Sequence, residues 1–302
     1  MNNYSLNSTY YLVIENNECL NKNLPEDITV QGTTIELKNK KPIELQIVFI
    51  ANTDMTYDIH FNKFVEADLI ITKILDNNAN LNVNMKLEEG AIIHTFTENN
   101  STNSNNVYSK DEVHLNANSS IQVGYAELSD GSFKADYQYY LDGEGAEAKV
   151  RMAILSKEKE NKEYEVLIKH NAPYTYGQMD NYGVVKDEGR LVIDGIGTIT
   201  KGQKQSASHQ TNKIMVFDPK CKASANPYLY IDEYDVKASH AAGVGKMDEE
   251  HLYYLQSRGL TKKQAMQLIT YGYLKPVIEV IDNEMIKERF ETVLSKVGED
   301  HD

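Results

Sequence analysis

The sequence predicts an all-β chain folded as a parallel β-helix, or β-solenoid, with a small α-helical domain at its C-terminus. From about residue 30 to residue 236 the apolar residues recur mainly at every second position, which is the period of strands. Short turns rich in Gly, Asn and Asp separate these runs, and after Gly245 the apolar period becomes helical. We therefore expect an N-terminal lead-in over residues 1–29, a β-helix core over 30–246 and a helical domain over 247–302.

The alternation is strongest in two runs, one over residues 43–49 and one over residues 81–87. Mostly polar residues fill the positions between the apolar ones, so each run has one face suited to a core and one suited to water. Turn segments separate such runs along the chain. They are EEGA from Glu88, NANSS from Asn116, DGEGA from Asp142 and DGIG from Asp194.

The last apolar residues before successive turns recur every 24 to 28 residues. A repeat of this length made only of strands is typical of the stacked coils of a β-helix, in which each coil buries its apolar side chains against the next. An antiparallel β-sandwich also has alternating strands, and the periodicity alone leaves it open as the alternative. The predicted repeat positions are Leu37, Phe61, Leu87, Leu115, Leu141, Ile168, Ile193 and Phe217.

Two helix starts are visible after Gly245. Asp248 is suited to cap a first helix, because its carboxylate can accept from free backbone N–H groups, and Gly259 is suited to end it. Thr261 and Gln264 have the spacing of a capping box for a second helix.

The rest of the C-terminal region predicts an interruption and one more helix. Pro276 is expected to interrupt the second helix, since proline cannot donate within a helix. A last helix is predicted near Glu284 to Lys296, and a domain of this size needs to pack on the solenoid or on a partner. The apolar face of that helix contains Ile286, Phe290, Val293, Leu294 and Val297.

The charge balance of the chain argues against two classes of partner. Thirty-one Lys and Arg residues stand against forty-five Asp and Glu residues, so the field at the surface is negative. Such a field repels nucleic acid backbones and anionic membranes, and we expect neither as a partner. The longest aliphatic stretch, residues 47–51, is too short to cross a bilayer, and no signal peptide is visible, so we expect a cytoplasmic protein.

The sequence has few features of an active site. Only Cys19 and Cys221 occur, which gives neither a disulfide framework nor a cysteine metal site, and Cys221 is best interpreted as a small buried residue. The stretch GVGKM from Gly243 lacks the spacing and the Ser or Thr of a phosphate-binding loop. Some β-helix proteins cleave polysaccharides, and that enzyme function is an alternative, although the chain has no Trp for sugar stacking.

The segment from Gly189 to the second helix resembles the C-terminal part of the SufB/SufD family of iron–sulfur cluster assembly proteins. The likeness covers about a hundred residues and is carried by several features in order. Within the family the run from Ser239 to Gly245 is more similar to SufD than to SufB. The matching residues are Gln210, Asn212, Pro227, Leu229, Ile231, the stretch DVKASH that ends at His240, and then Leu252, Tyr254, Leu255, Ser257, Arg258 and Gly259.

The resemblance implies a right-handed parallel β-helix and a scaffold subunit rather than an enzyme. It implies that the end of the β-helix pairs with SufB, that the C-terminal helices dock the ATPase SufC, and that an iron–sulfur cluster forms transiently at the SufB–SufD interface. It also implies that the chain alone binds no cofactor tightly. A SufB-like paralogue that works as a homodimer is a further alternative.

The resemblance implies one site residue, and the surface of the helices suggests three more. His240 matches the histidine that the family uses at the interface, and an imidazole is suited to ligate iron or to relay a proton. Ala238 stands where SufD often has a cysteine, so no thiol is expected there. The polar positions Arg258, Lys262 and Lys263 are the predicted contacts to the ATPase. The N-terminal helical domain typical of the family is expected to be missing, because strand patterning starts within about thirty residues.

Overall fold

The structure is a computed structural model that describes residues 4–76, 78–101, 107–279 and 284–296. Strands dominate the chain up to residue 246, and three helices follow. The strands are β1 Tyr10–Glu15, β2 Glu18–Asn23, β3 Ile28–Gln31, β4 Thr34–Leu37, β5 Ile43–Ala51, β6 Met55–Phe61, β7 Glu66–Leu75, β8 Asn80–Leu87, β9 Ile92–Asn99, β10 Tyr108–Leu115, β11 Ser120–Glu127, β12 Phe133–Leu141, β13 Glu147–Ser156, β14 Asn161–His170, β15 Tyr176–Val185, β16 Arg190–Ile199, β17 Ala207–Val216, β18 Lys222–Ile231 and β19 Lys237–Lys246. The helices are α1 Glu249–Ser257, α2 Lys262–Glu279 and α3 Glu284–Lys296.

The strands form two sheets that face each other as a parallel β-solenoid. A ten-stranded sheet has the order β19-β17-β15-β13-β11-β9-β7-β5-β1-β2, and a nine-stranded sheet has the order β18-β16-β14-β12-β10-β8-β6-β4-β3. From β4 onward the chain alternates between the sheets, so each coil adds one strand to each, in parallel with the strand of the coil before. The predicted solenoid is confirmed, and the antiparallel sandwich is wrong.

The cross-coil register confirms the first five predicted repeat positions. Leu37, Phe61, Leu87, Leu115 and Leu141 pair with one another in that order along the nine-stranded sheet. All five side chains are fully buried. The apolar residue before the turn therefore sets the stacking of these coils, as the repeat predicts.

The register departs from the prediction after the fifth position. Leu141 pairs with His170, and His170 pairs with Ile199. A search for apolar residues misses His170, which is fully buried with Nδ1 2.7 Å from the hydroxyl of Thr175. The later coils are also longer, since hydrogen-bonded neighbours on adjacent coils lie 26 residues apart early in the chain and 32 apart near its end. The predicted positions Ile168, Ile193 and Phe217 are therefore wrong.

Two apolar layers hold the fold together. The larger one lies inside the solenoid, where alternate residues of both sheets meet, as in the buried run of β8. The second lies on the outer face of the ten-stranded sheet, where Phe96, Ala153 and Val184 pack under α2 and α3. The helices thus gain the support that their size requires.

Hydrogen-bonded ladders of polar side chains run along the outer surface. Asn84 donates to Asp58 over 2.8 Å, and Asn226 donates to Asp194 over 2.7 Å on a later coil. In each ladder an amide faces a carboxylate of the neighbouring coil. Such pairs favour one register between coils, because a slip would separate donor from acceptor.

The N-terminal end of the solenoid is closed by two antiparallel hairpins. β1 pairs with β2, and β3 pairs with β4, each in antiparallel register. The segment predicted as a lead-in therefore contributes β1, β2 and the start of β3. The hairpins cover the apolar interior at this end, where Leu12, Ile14 and Ile35 are buried.

The helix starts match the predicted caps. The side chain of Asp248 accepts from the backbone N–H of Glu250 over 2.9 Å. Thr261 and Gln264 form the reciprocal bonds of a capping box, at 3.2 and 2.9 Å. Gly259 follows α1 with a φ of +97°, a conformation that glycine adopts without strain.

The predicted interruption at Pro276 is wrong, because α2 continues through it to Glu279. Leu274 and Val277, on either side of the proline, are fully buried in the layer under the helices, and this packing offsets the lost backbone bond. In α3, Ile286 and Phe290 are buried as predicted. Val297 lies outside the described residues, as do the side chains of Val293 and Leu294.

Candidate functional site

The C-terminal end of the solenoid, formed by β18 and β19, differs from the capped N-terminal end. Each of these strands is the last of its sheet, as β2 and β3 are at the N-terminal end, so one backbone edge of each has no strand partner among the described residues. The ends differ in the inner face of the last strand, because Lys22 of β2 pairs with the inward-facing Leu12, whereas Ala242 and Val244 of β19 pair with inward-facing residues of β17. All ten residues of β19 are exposed, and β18 is exposed or half-buried throughout. We call this surface the open end.

The open end presents the inner face of the last coil. Residues paired in a parallel ladder point to the same side of the sheet. Alternate residues of β17 point into the solenoid and are buried, so their register partners in β19 also face inward. The same argument applies to β18, which pairs with β16. The resulting surface is mostly apolar and consists of Ala223, Ala225, Pro227, Leu229 and Ile231 from β18 and Ala238, His240, Ala242 and Val244 from β19.

His240 is the one imidazole on the inner face of the described part of β19. It pairs in register with Gln210 of β17, whose side chain is buried in the interior. His240 is exposed because no further coil of the described chain covers it. The imidazole forms no hydrogen bond with any described residue, so its nitrogens are free for a group at the open end.

The interior beneath the open end is polar. Asn181 donates its amide to Asn212 over 2.8 Å, and Gln210 donates to the backbone carbonyl of Tyr228 over 3.0 Å. The carbonyl oxygens of the Asn181 and Gln210 side chains are buried and have no partner among the described residues. Buried polar atoms are nearly always paired, so these two mark an unusual site.

Glycines of β16 make room for this polar layer. A Cβ on Gly195 would lie 2.5 Å from Nδ2 of Asn212, and one on Gly197 would lie 2.8 Å from Oγ of Ser208. The stretch DGIG from Asp194 was predicted as a turn, and that prediction is wrong because it lies within β16. A glycine inside a strand here marks the close approach of side chains rather than a bend.

The outer rim of the open end carries aromatic and acidic groups. Tyr228 and Tyr230 are exposed on the outer side of β18, with parallel rings 6.4 Å apart. Tyr234 is fully exposed in the loop between β18 and β19, among Asp232, Glu233 and Asp235. Hydrogen bonds from backbone N–H groups, above all that of Gly202, hold the pKa of Glu233 below its usual value, so this loop carries negative charge.

The three predicted ATPase contacts lie on the helices and not at the open end. Arg258 follows α1, and its guanidinium lies 5.1 Å from the ring centre of Tyr254. Lys262 and Lys263 begin α2, and all three side chains are exposed. Tyr253 and Leu268 are also exposed on these helices. The structure therefore separates His240 and this basic group into two surfaces.

The two cysteines lie far apart in the fold. Cys221 immediately precedes β18 and packs against the inner core, with its thiol 3.4 Å from the backbone carbonyl of Val185. Burial raises the pKa of the Cys221 thiol, which disfavours the reactive thiolate. Cys19 is exposed on β2 at the capped end. The structure thus places neither thiol beside His240.

A cleft on the outer face of the nine-stranded sheet contains two further histidines, His60 and His114. Nδ1 of His114 lies 2.6 Å from Asp142, and its Nε2 lies 3.3 Å from Glu112. Its ring also stacks on Tyr140 with centres 4.8 Å apart. These contacts are typical of a histidine that stabilises the fold.

A buried ion-pair network inside the solenoid is a feature that the sequence did not reveal. Nζ of Lys73 lies 2.8 Å from both carboxylate oxygens of Asp111 and 3.0 Å from the hydroxyl of Ser109. The same carboxylate accepts from Tyr125 over 2.9 Å. The alternation pattern gives no sign of this network, since Lys73 occupies an inward position in an otherwise apolar strand.

The network extends to a second charged group nearby. Glu127 is buried and accepts from Tyr137 over 2.6 Å and from Tyr164 over 3.2 Å. Burial raises the pKa of Glu127, and burial lowers the pKa of Lys162, which donates to the backbone carbonyls of Ser129 and Leu155. These groups are enclosed by the coils and lie away from the open end, which indicates a structural role.

Two other kinds of site are absent from the described residues. Over residues 4–76, 78–101, 107–279 and 284–296, no cluster of three or more His, Cys, Asp or Glu side chains could hold a metal ion. In the same part of the chain, no helix is long and apolar enough to span a membrane.

Comparison with known proteins identifies a family and several relatives. The family described as SUF system FeS cluster assembly, SufBD core domain, matches residues 27–273. The iron–sulfur cluster assembly protein SufD of Bacillus subtilis is 31% identical over 178 residues, which are 59% of this chain and 41% of that protein. SufD of Escherichia coli is 26% identical over 159 residues, 53% of this chain and 37% of that protein.

A SufB protein is also among the relatives. SufB of Bacillus subtilis is 26% identical over 148 residues, which are 49% of this chain and 32% of that protein. The chain therefore spans less than half of the length of each of these three relatives. The matched family region contains the coils from β4 onward, the open end and most of α2.

Proposed function

Because the chain belongs to the SufBD core family of iron–sulfur cluster assembly proteins, we propose that it is a SufD-like scaffold subunit that pairs through its open end. Its partner there is a SufB-like chain, and its helices dock a SufC-like ATPase. In this function the chain contributes surfaces and a histidine rather than a complete active site. We propose that it works in the cytoplasm.

The observation that carries the proposal is the asymmetry of the two solenoid ends. Antiparallel hairpins cover the apolar interior at the N-terminal end. At the open end the inner face of β18 and β19 is exposed, with the side chain of Val244 47% accessible. Exposed strand edges with an apolar face are suited to pair with the strands of another chain. A second solenoid would bury this face.

The iron–sulfur cluster enters this proposal as cargo. His240 projects from the inner face of the last coil, so it would lie between the two subunits. A neutral imidazole supplies one nitrogen ligand to iron, and the remaining ligands would come from the partner. Replacement of His240 by Ala should leave the complex intact but reduce the maturation of iron–sulfur enzymes in cells that depend on this complex. Normal maturation would make His240 a structural residue.

Pairing through the open end is tested with two neighbouring alanines. Ala242 faces inward and Ala241 faces outward on β19, and both are exposed. In Ala242→Glu a carboxylate would be buried without a partner in the interface, so co-purification with the SufB-like chain should fall at least tenfold. Ala241→Glu, the matched control, should retain the partner. Equal retention by both variants would contradict pairing through this face.

Docking of the ATPase is tested by reversing charge on the helices. The variant Arg258→Glu/Lys262→Glu/Lys263→Glu should lose the SufC-like ATPase and keep the SufB-like chain, because the two surfaces are separate. Lys22→Glu on exposed β2 at the capped end is the control and should keep both partners. Loss of the ATPase in the control alone, or retention in the triple variant, would refute this docking site.

The alternatives give different results in the same preparations. A SufB-like homodimer predicts twice the chain mass in solution without any partner, and Ala242→Glu would then yield monomers. A polysaccharide-acting enzyme predicts that the purified chain alone cleaves an acidic polysaccharide. Either result would replace the scaffold function proposed above.

A further inference from the structure

Gln210 is fixed in the interior beneath the open end in one orientation. Its side chain is 3% exposed, and its Nε2 donates to the backbone carbonyl of Tyr228 over 3.0 Å. That carbonyl can only accept, so the amide nitrogen must face it and the oxygen must face elsewhere. The oxygen, Oε1, is buried and has no partner among the described residues.

A buried acceptor without a donor is costly. Such a group has given up its hydrogen bonds to water without gaining one from the protein. Gly195 leaves space for this oxygen and for the neighbouring amide of Asn212, because a Cβ on Gly195 would lie 2.8 Å from Oε1 and 2.5 Å from Nδ2 of Asn212. The strand opposite Gln210 thus keeps a glycine where any side chain would displace the amide. This arrangement favours a donor that reaches Oε1 from the side of the open end.

His240 is placed to be that donor. It is the register partner of Gln210 and points to the same inner side. Neighbouring strands lie about 4.8 Å apart, and the two side chains have similar reach, so a ring N–H of His240 can turn onto Oε1. The other ring nitrogen then faces out of the open end.

We propose that Gln210 is the positioning residue of His240. Its Oε1 accepts a hydrogen bond from one ring nitrogen, which fixes the tautomer and holds the lone pair of the other nitrogen toward the partner. Histidines that bind metals are commonly oriented in this way by an acceptor behind the ring. The hydrogen bond between Gln210 and His240 does not depend on the proposed function. The identity of the group that the outward nitrogen contacts does depend on it.

The test is the tautomer of His240 in the isolated chain, read from the ring ¹⁵N chemical shifts at pH 8.5, where a free imidazole is neutral. The signal is assigned by its loss in His240→Asn. In the unmodified chain one tautomer should dominate. In Gln210→Leu, which removes the acceptor, the ratio should move at least threefold toward the mixture of a free imidazole.

Two further variants keep the test independent of folding. Asn212→Leu removes an equally buried amide whose register partner is Ala242, and it should leave the tautomer ratio of His240 unchanged. Gly195→Ala should displace Oε1 together with the amide of Asn212, and because Asn212→Leu controls for the loss of that amide, the shift in the ratio expected for Gly195→Ala is attributed to Oε1. An unchanged ratio in both Gln210→Leu and Gly195→Ala would overturn the proposal.

The complex separates this proposal from the proposed function. If both hold, Gln210→Leu should lower iron–sulfur maturation about as much as His240→Ala does. If the tautomer shifts as expected while maturation is normal in His240→Ala, the positioning role stands and the interface role of His240 fails.

Discussion

The buried pair of Lys73 and Asp111 gives a quantitative test of how the solenoid interior is held together. The side chains are 1% and 2% exposed, and both carboxylate oxygens lie 2.8 Å from Nζ. The change to make is Asp111→Asn, which removes the negative charge and keeps an acceptor for the hydroxyl of Tyr125. The lysine would then lose its direct counterion and keep only the more distant Glu127, whose pKa burial raises and Lys73 lowers.

The expected cost follows from the distance and the burial. At an effective dielectric constant of about 20, charges 2.8 Å apart attract by roughly 6 kcal/mol. Part of this is regained because an amide is easier to bury than a carboxylate, so the loss should be about 3–5 kcal/mol of unfolding free energy. Lys73→Met should cost a similar amount.

The assay is urea unfolding at pH 7 of both single variants and of Lys73→Met/Asp111→Asn. The double variant removes both charges of this pair and should lie within about 2 kcal/mol of the unmodified chain, which gives a large coupling energy. A surface pair serves as the matched control. Lys63 and Glu89 lie 2.9 Å apart but are 61% and 47% exposed, so Glu89→Gln should leave the urea midpoint nearly unchanged.

One pattern of results would refute the reasoning. If Asp111→Asn cost no more than Glu89→Gln, or if the double variant lost the sum of the two single costs, the ion pair would not be an isolated low-dielectric contact. Water would then have to reach Lys73 inside the coils.

Two other predictions concern the helical layer and the response to acid. A Cβ on Gly124 would collide with the ring of Phe290 and lie 2.8 Å from Ile286. The variant Gly124→Val should therefore release α3 and speed the hydrogen exchange of that helix at least tenfold. Gly243→Val, at a position with open space, is the control and should leave the exchange of α3 unchanged. His170 is buried with its pKa lowered by desolvation to about 4, so the unfolded chain takes up its proton first as pH falls below about 6.5. Protonation of this group in the unfolded chain should remove about 3 kcal/mol of stability between pH 7.5 and pH 4. In His170→Gln the urea midpoint should depend less on pH over that range. If the variant and the unmodified chain have the same pH dependence, His170 is not buried as a neutral ring.

Much of the fold could be predicted because its determinants are local. The two-residue apolar period and the first five repeat positions follow from residues that face a core in every coil. The caps at Asp248 and Thr261 depend only on their own helices, and both form as predicted. These features can be predicted without knowing which side chains lie on the opposite side of the interior.

The errors occurred where the interior is polar or close-packed. The apolar repeat ends at His170, a buried polar residue in an anchor position. The DGIG stretch has the composition of a turn, although Gly195 and Gly197 lie in a strand and give space to side chains of β17. An apolar search cannot recognise either case. The alternation of apolar residues also does not predict the pair of Lys73 and Asp111, because the two residues lie 38 positions apart and meet only in the folded chain.

The candidate site was also predicted only in part from the sequence. Resemblance of the sequence pointed to His240, but its position on the inner face and its pairing with Gln210 came only from the structure. The amino-acid sequence by itself determined strand period, helix caps and family likeness, because each depends on residues near one another in the chain. The tertiary structure decided which side chains meet across coils and which end stays open, because the length of every preceding turn sets that register.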